Sequence, residues 1–382
     1  MKPELANYRG REQSYFKHRF LEKYLTRGGI IIGSWADSFT YVEGFSGPWR
    51  SQSETLGDTS FAIALNQLRE AQRTVQERFG KDLKLRAFFI ESDRVAHGKL
   101  RAYADERAGI EIETRHSTFE ESISEAVAFA RSGARSNFTF TCIDPTGWKG
   151  FALSRITPLL SLERSECLIN LQTSFIRRFI TLKESRASFE ELFGSSEPMD
   201  AVGALALDKR EEFILREYAQ RIRLAGGFSH VSAAVVLRPN LERPQFHLIY
   251  LTRNRKGVSV FKDAEKAIVE EMPEIRGRAK QRKREEQSGQ LELTSMAESR
   301  SSYLDRIGGQ YRIDAWTRIK DKLRLGGQLL YDDAFDIAMT HPLVWEQDLK
   351  EWIRQDGTLQ IAGLKPGERV PKLNMGHFLQ AK

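Results

Sequence analysis

Cysteine is nearly absent: the 382-residue chain carries two, Cys142 and Cys167. Neither has CxxC spacing or a second ligand pair, which argues against a disulfide framework or a zinc site, and each reads as a small buried hydrophobe. The seven histidines form no HExxH or other paired spacing, so no metal is implied. Long apolar runs are missing too. No window holds the roughly 20 uninterrupted apolar residues that span a bilayer. The first twenty residues, MKPELANYRGREQSYFKHRF, lack the apolar core and small-residue cleavage site of a secretory signal. A cytoplasmic protein without membrane contact is the expectation. Internal repeats and low-complexity segments are also lacking.

What is present is ordinary for a globular protein, with 40% hydrophobic and 29% charged residues. The length suggests one large domain and a smaller appendage. A net charge of +7 admits polyanion affinity. Its densest part, Arg276, Arg278, Lys280, Arg282, Lys283 and Arg284, reads as a solvated linker or helix face, or as a nucleic-acid contact.

Along the chain, Phe16, Phe20, Leu21, Tyr24 and Leu25 share one helical face. A strand at 39–42 then runs into a turn-rich loop, and a helix beginning near Asp58 stops at Gly80. Strands at 84–91, 110–116, 138–144 and 165–172 alternate with helical segments, one of which Thr118 caps. That alternation implies βαβ crossovers and a mainly parallel sheet. Two longer strands, HVSAAVVLRP and PQFHLIYLTR, are joined by a short connection and read as an antiparallel hairpin. Five parallel strands closed by such a hairpin is the Rossmann-like architecture of class I methyltransferases. Residues 1–270 are expected to form this α/β domain, 271–302 a basic linker, and 303–382 a winged-helix-like module.

Two phrases carry the candidate chemistry. The first, YVEGFSGPWR at 41–50, ends a strand in an acid and enters a loop of small residues. Such a loop suits a cationic methyl donor like S-adenosylmethionine (SAM), which needs an acid and close backbone approach. Glu43, Phe45, Ser46 and Gly47 are its candidates. Glu43-x-Phe45-x-Gly47 follows the pattern of enzymes that methylate bases, but Trp49 stands where glycine is expected and would block or reshape the pocket. Glu91, at the end of the second strand, is placed to hold ribose hydroxyls. Thr118 and Phe119 either flank an adenine or serve as cap and core. The second phrase, FTFTCIDPTGW, resembles the Asp-Pro-Pro-aromatic motif of amino-methylating enzymes. In that motif Asp144 and Pro145 would accept hydrogens from a target amino group and Trp148 would stack on a flipped base. A capping Asp in a turn is the structural alternative.

These phrases, with CLINLQTSFIRRF, the LFG at 192–194, HLIYLTRNRKG and the Lys17-His18 of the opening helix, resemble the three-Cys-motif partner family, TcmP, over most of the chain. The resemblance implies a bacterial or phage protein working beside a separate three-cysteine-motif protein of radical-SAM type. It carries over Asn170, Arg177 and Arg178 without a known role. In the tail, Asp332, Asp333, Asp336, Glu346, Asp348 and Glu351 make the central helices acidic and favour protein docking or an intramolecular role. Lys365, Arg369 and Lys372 would be the phosphate contacts of the wing. Two functions stay open: a SAM-dependent methyltransferase-like protein acting on nucleic acid, and a non-catalytic adaptor that keeps the fold.

Overall fold

A computed structural model describes residues 5–47, 51–290 and 301–382. Helix α1 (Glu12–Gly33) precedes an alternating series: β1 (Ser38–Glu43), α2 (Ser60–Phe79), β2 (Lys84–Glu91), α3 (Arg94–Asp105), β3 (Glu111–His116), α4 (Ile123–Arg131), β4 (Asn137–Ile143), α5 (Leu153–Leu160) and β5 (Ser165–Leu171). Three short helices, α6 (Thr173–Phe179), α7 (Arg186–Phe193) and α8 (Glu197–Gly203), and a longer one, α9 (Arg210–Ala225), follow, then β6 (His230–Leu237) and β7 (Pro244–Thr252). The order of the seven-stranded sheet is β3-β2-β1-β4-β5-β7-β6. The first five strands are parallel, and β7 runs antiparallel to both neighbours. This is the methyltransferase-like Rossmann architecture expected from the alternation and the terminal hairpin.

Local chemistry explains the boundaries. Thr59, one residue after the expected cap Asp58, caps α2, and Gly80 ends that helix at φ 63°, a left-handed conformation that glycine adopts without strain. β1 and β5 are buried along their whole length, and β4 from Phe138 onward, because helices cover both faces of a parallel sheet. Cys142 packs on one face with Tyr41, Phe140 and Tyr250, and Cys167 packs on the other with Val42 and Ile169. Both thiols are free and buried. No described helix is long and apolar enough to cross a membrane.

Helix α1 packs as its periodicity predicts, with Phe16, Phe20, Leu21, Tyr24 and Leu25 all buried. A polar anchor sets its height above the sheet. The Tyr24 hydroxyl donates to the Glu166 carboxylate of β5 and meets the Tyr250 hydroxyl at 2.7 Å, while Thr252 donates to the other Glu166 oxygen at 2.8 Å. Burial raises the pKa of Glu166 above its ordinary value.

The segment from residue 271, expected as a linker, differs as far as Ser288: it is the second half of the 34-residue helix α10 (Arg255–Ser288). Arg276 is buried there, donating to the carbonyls of Arg238 and Leu241 and, at 2.5 Å, to Glu242. Arg278 pairs with Glu274, Lys280 with Glu242, and Arg282 with Glu12. Arg276, Lys280 and Arg282 are thus tied into the fold, whereas Arg278, Lys283 and Arg284 are exposed, so the charge run is a helix with one packed and one solvated side. α10 runs antiparallel to α1 through a ladder of ion pairs: Glu12 with Arg282, Arg19 with Glu271 and Arg27 with Asp263.

The C-terminal unit comprises α11 (Ser302–Gly326), β8 (Gln328–Leu330), α12 (Tyr331–Met339), α13 (Glu346–Gln355), β9 (Leu359–Ala362) and β10 (Phe378–Ala381). Its strands form an antiparallel sheet in the order β8-β10-β9. Two acids of α12 face α10, where Arg255 pairs with Asp332 at 3.2 Å and Asp336 at 2.7 Å, while Asp333 is exposed. In the expected wing, Lys372 pairs with Glu368.

Candidate functional site

The parallel register fixes the site's geometry. Glu43 lies level with Phe89 on β2 and Cys142 on β4, so Glu91 and Asp144 stand two residues beyond it on either side of β1. Two strand spacings separate them, about 10 Å. Ile143 is level with Ile169, which brings Asn170 beside Asp144. These strand ends open into a cleft of about 800 Å³ roofed by the first turns of α1. Its floor includes Gly44, Phe45, Gly47, Glu91, Asp144, Pro145 and Asn170, and its roof Arg11, Ser14, Lys17 and His18.

The expected cofactor residues divide into two groups. Phe45, Gly47 and Glu91 line the cleft. Glu43 and Ser46 lie beneath it, both fully buried. The Glu43 carboxylate accepts from the Tyr41 hydroxyl at 2.8 Å and from the Ser60 hydroxyl. Burial pushes its pKa up to about 7, against the opposing effect of those two hydrogen bonds. The Ser46 hydroxyl donates to the Glu43 carbonyl at 2.9 Å and accepts from the Ile90 amide at 3.3 Å, clasping the loop to β2. Trp49 lies outside the described residues.

Gly44 is required where it stands. A Cβ there would come within 2.6 Å of the buried Phe119 ring, which packs on Phe45 with centroids 5.5 Å apart. Gly44→Ala is expected to cost about 1–3 kcal/mol through overpacking, read as a lowered thermal midpoint; an unchanged midpoint would show that the Phe119 ring yields freely. Thr118 does not cap α4, whose N-cap position is Ser122; it exchanges hydrogen bonds with Glu121 at 2.7 and 3.4 Å in the preceding turn and lines the cleft. At the end of β2, Glu91 accepts from the Asp93 amide at 2.6 Å.

In the second loop, Asp144 is held from two sides. The Lys17 ammonium pairs with one carboxylate oxygen, and the Asn170 amide donates to the other at 2.7 Å. A carboxylate only accepts, so the Asn170 amide turns its NH₂ toward it. Its Oδ1 is thereby left buried without a partner. Trp148 departs from the expectation that it faces a substrate. Its ring packs on Phe179 and Phe189 at 5.2 and 5.1 Å, and its Nε1 donates to Ser188 at 3.0 Å. Aromatic neighbours from α6 and α7 and a hydrogen-bond acceptor draw it away from the cleft. The exposed ring at the cleft is Phe175, on α6.

Sequence reasoning gave no cleft role to Lys17, His18 or Phe175. Lys17-His18 had a faint signal, two polar residues at the border of an apolar helical stripe. His18 is buried against the Tyr8 hydroxyl at 2.8 Å, and burial and then the Lys17 charge hold its pKa well below the usual histidine value. Arg177 extends toward Glu211 at 3.8 Å, and Arg178 covers the Phe179 ring; neither lines the cleft.

No family model matches the chain, and no curated protein matches it. Among solved structures, a DUF519-family protein of Legionella pneumophila is similar at 12% identity, over 66% of this chain and 91% of that one, with a TM-score of 0.38. An O-methyltransferase of Bacillus cereus in complex with SAH is similar at 14% identity, over 60% and 80%, with a TM-score of 0.31. A loganic acid methyltransferase with SAH is similar at 10% identity, over 75% and 91%, with a TM-score of 0.31. At such scores the fold class rests on the strand order of the sheet itself.

Proposed function

We propose that the protein binds SAM in this cleft and methylates an amino group of a nucleic acid, working beside a three-cysteine-motif partner as the TcmP resemblance implies. The observation that carries the reading is the pair of acids, Glu91 and Asp144, at equal height on β2 and β4, flanking the glycine-containing loop after β1. The buried, unpartnered Oδ1 of Asn170 supports a ligand that donates hydrogen bonds, as an amine does. When bound, SAM supplies a methyl carbon whose bond to a cationic sulfur breaks as an amine lone pair attacks in line.

The chain's own residues would then do the positioning. Glu91 would accept from the ribose hydroxyls, with Phe45 and Phe119 bordering the adenine. Two of three acceptors, Asp144, the Pro145 carbonyl and Asn170 Oδ1, would take the two hydrogens of the target amino group and orient its lone pair. Phe175 takes the stacking role expected of Trp148. The helix-strand-helix-helix-strand-strand order from α11 to β10 supports a winged-helix-like module for residues 303–382, appended to a methyltransferase-like domain.

Glu91→Ala is expected to weaken SAM binding by about 10- to 100-fold, since a hydrogen bond to a charged acceptor contributes roughly 1.5–3 kcal/mol. Isothermal titration of both proteins checks this, and no binding by the wild type at millimolar SAM removes the cofactor reading. The adaptor reading is favoured by one observation, the Lys17 ammonium already seated on Asp144. A stable partner complex whose activity survives Asp144→Ala would decide for it.

A further inference from the structure

The cleft is bipolar. Its strand-end floor carries the acids Glu91 and Asp144, and its roof the cations Lys17 and Arg11, the latter paired with the lining acid Asp58. A uniformly anionic ligand such as a polyphosphate would meet repulsion from the floor. A ligand with a diol at one end and a zwitterionic amino-acid head at the other would meet a complement at both ends.

Lys17 is the cation built for the second role. Its side chain is 17% exposed, and its ammonium is held in place by Asp144. An ammonium has three donors. One goes to Asp144, and no other hydrogen bond from Lys17 is made to the described residues. Asp144 in turn is steadied by Asn170, and α1 is fixed over the sheet by the Tyr24–Glu166 anchor. Arg11 donates through Nη2 alone, to the Asn7 carbonyl at 2.8 Å and to Asp58 at 2.5 Å, and its Nε is buried without a partner. The cation that stands against Asp144 is Lys17.

We infer that Lys17 binds the carboxylate of the cofactor's amino-acid tail, its remaining N–H donors forming charge-assisted hydrogen bonds to that group. This inference rests on the SAM reading above. It assigns Asp144 a second duty as the counter-ion that orients Lys17. It also gives the opening helix, which lies outside the βαβ pattern, a direct part in ligand recognition.

The test compares SAM with decarboxylated SAM on the full chain by isothermal titration, using wild type, Lys17→Met and Lys17→Arg. Wild type is expected to bind decarboxylated SAM at least tenfold more weakly than SAM. Lys17→Met should lose at least tenfold in affinity for SAM while binding the decarboxylated ligand within twofold of wild type, and Lys17→Arg should recover most of the loss. Wild type that binds both ligands equally overturns the Lys17 assignment while leaving the cofactor reading standing, and this arm needs no variant to fold. Equal weakening of both ligands by Lys17→Met overturns it as well. Wild type that binds neither ligand removes the cofactor reading, and this inference with it.

Discussion

Glu265→Ala is expected to destabilise the protein by about 3–5 kcal/mol, the range for breaking one side of a buried ion pair. Lys262 and Glu265 are both buried in α10, with 2.8 Å between ammonium and carboxylate. The remaining Lys262 donors reach the His341 carbonyl at 2.6 Å and the Ala233 carbonyl at 3.3 Å. The other Glu265 oxygen accepts from the Leu343 amide at 2.9 Å. Burial lowers the lysine pKa and raises the glutamate pKa, while each partner opposes that displacement in the other. Removing the carboxylate strands an ammonium and an amide together. It also releases Leu343, which sits at φ 58°, a left-handed conformation that costs a residue with a Cβ about 1–2 kcal/mol. Urea unfolding is the measurement, and a loss below about 1 kcal/mol would mean that water enters and solvates Lys262 without disturbing the packing.

Glu43→Gln is expected to change the pH dependence of stability more than the stability at any one pH. The Glu43 pKa moves from an ordinary 4.5 to about 7 on folding, so the folded state holds a proton that the unfolded chain has already lost. The stabilisation linked to that proton is present in full below pH 4.5 and is lost as pH rises through about 7. At ~1.4 kcal/mol per pH unit, the wild type should lose about 2–3 kcal/mol relative to Glu43→Gln between pH 5 and pH 8. Taking the difference between the two proteins cancels the titration of all other groups. A flat difference across that range would show that Glu43 stays ionised, with the neighbouring Lys17 charge and the Ser60 and Tyr41 hydroxyls holding it.

Much of the α/β framework was legible because its signals are local. Apolar runs between helical segments announced β1, β2, β4 and β5, the spacing of the helical segments announced β3, and Gly80 announced the end of α2. The cleft's acids were legible for the same reason, each ending a strand. What the sequence concealed depends on side-chain direction and on distant partners. Glu43 and Ser46 stand in a cofactor-like phrase, yet their polar atoms turn inward to Tyr41, Ser60 and Ile90. Trp148 follows Asp-Pro as a stacking ring would, but Phe179 and Phe189, supplied from residues 31 and 41 positions later, take it. The charge run after residue 270 read as a linker because composition does not reveal which arginine is buried. Arg276 is accounted for by hairpin carbonyls more than thirty residues upstream.

The antiparallel ladder between α1 and α10 acts as a vernier. Its rungs at Glu12 and Arg19 bracket Lys17, and a slip of one helical turn would carry that ammonium about 5.4 Å along the axis, past Asp144. The same α10 rod extends about 50 Å, and near its start Val258 enters the core of the C-terminal unit. The alignment of the cleft's cationic wall and the seating of the C-terminal unit are thus graduated on a single helix, so neither can be re-indexed without moving the other.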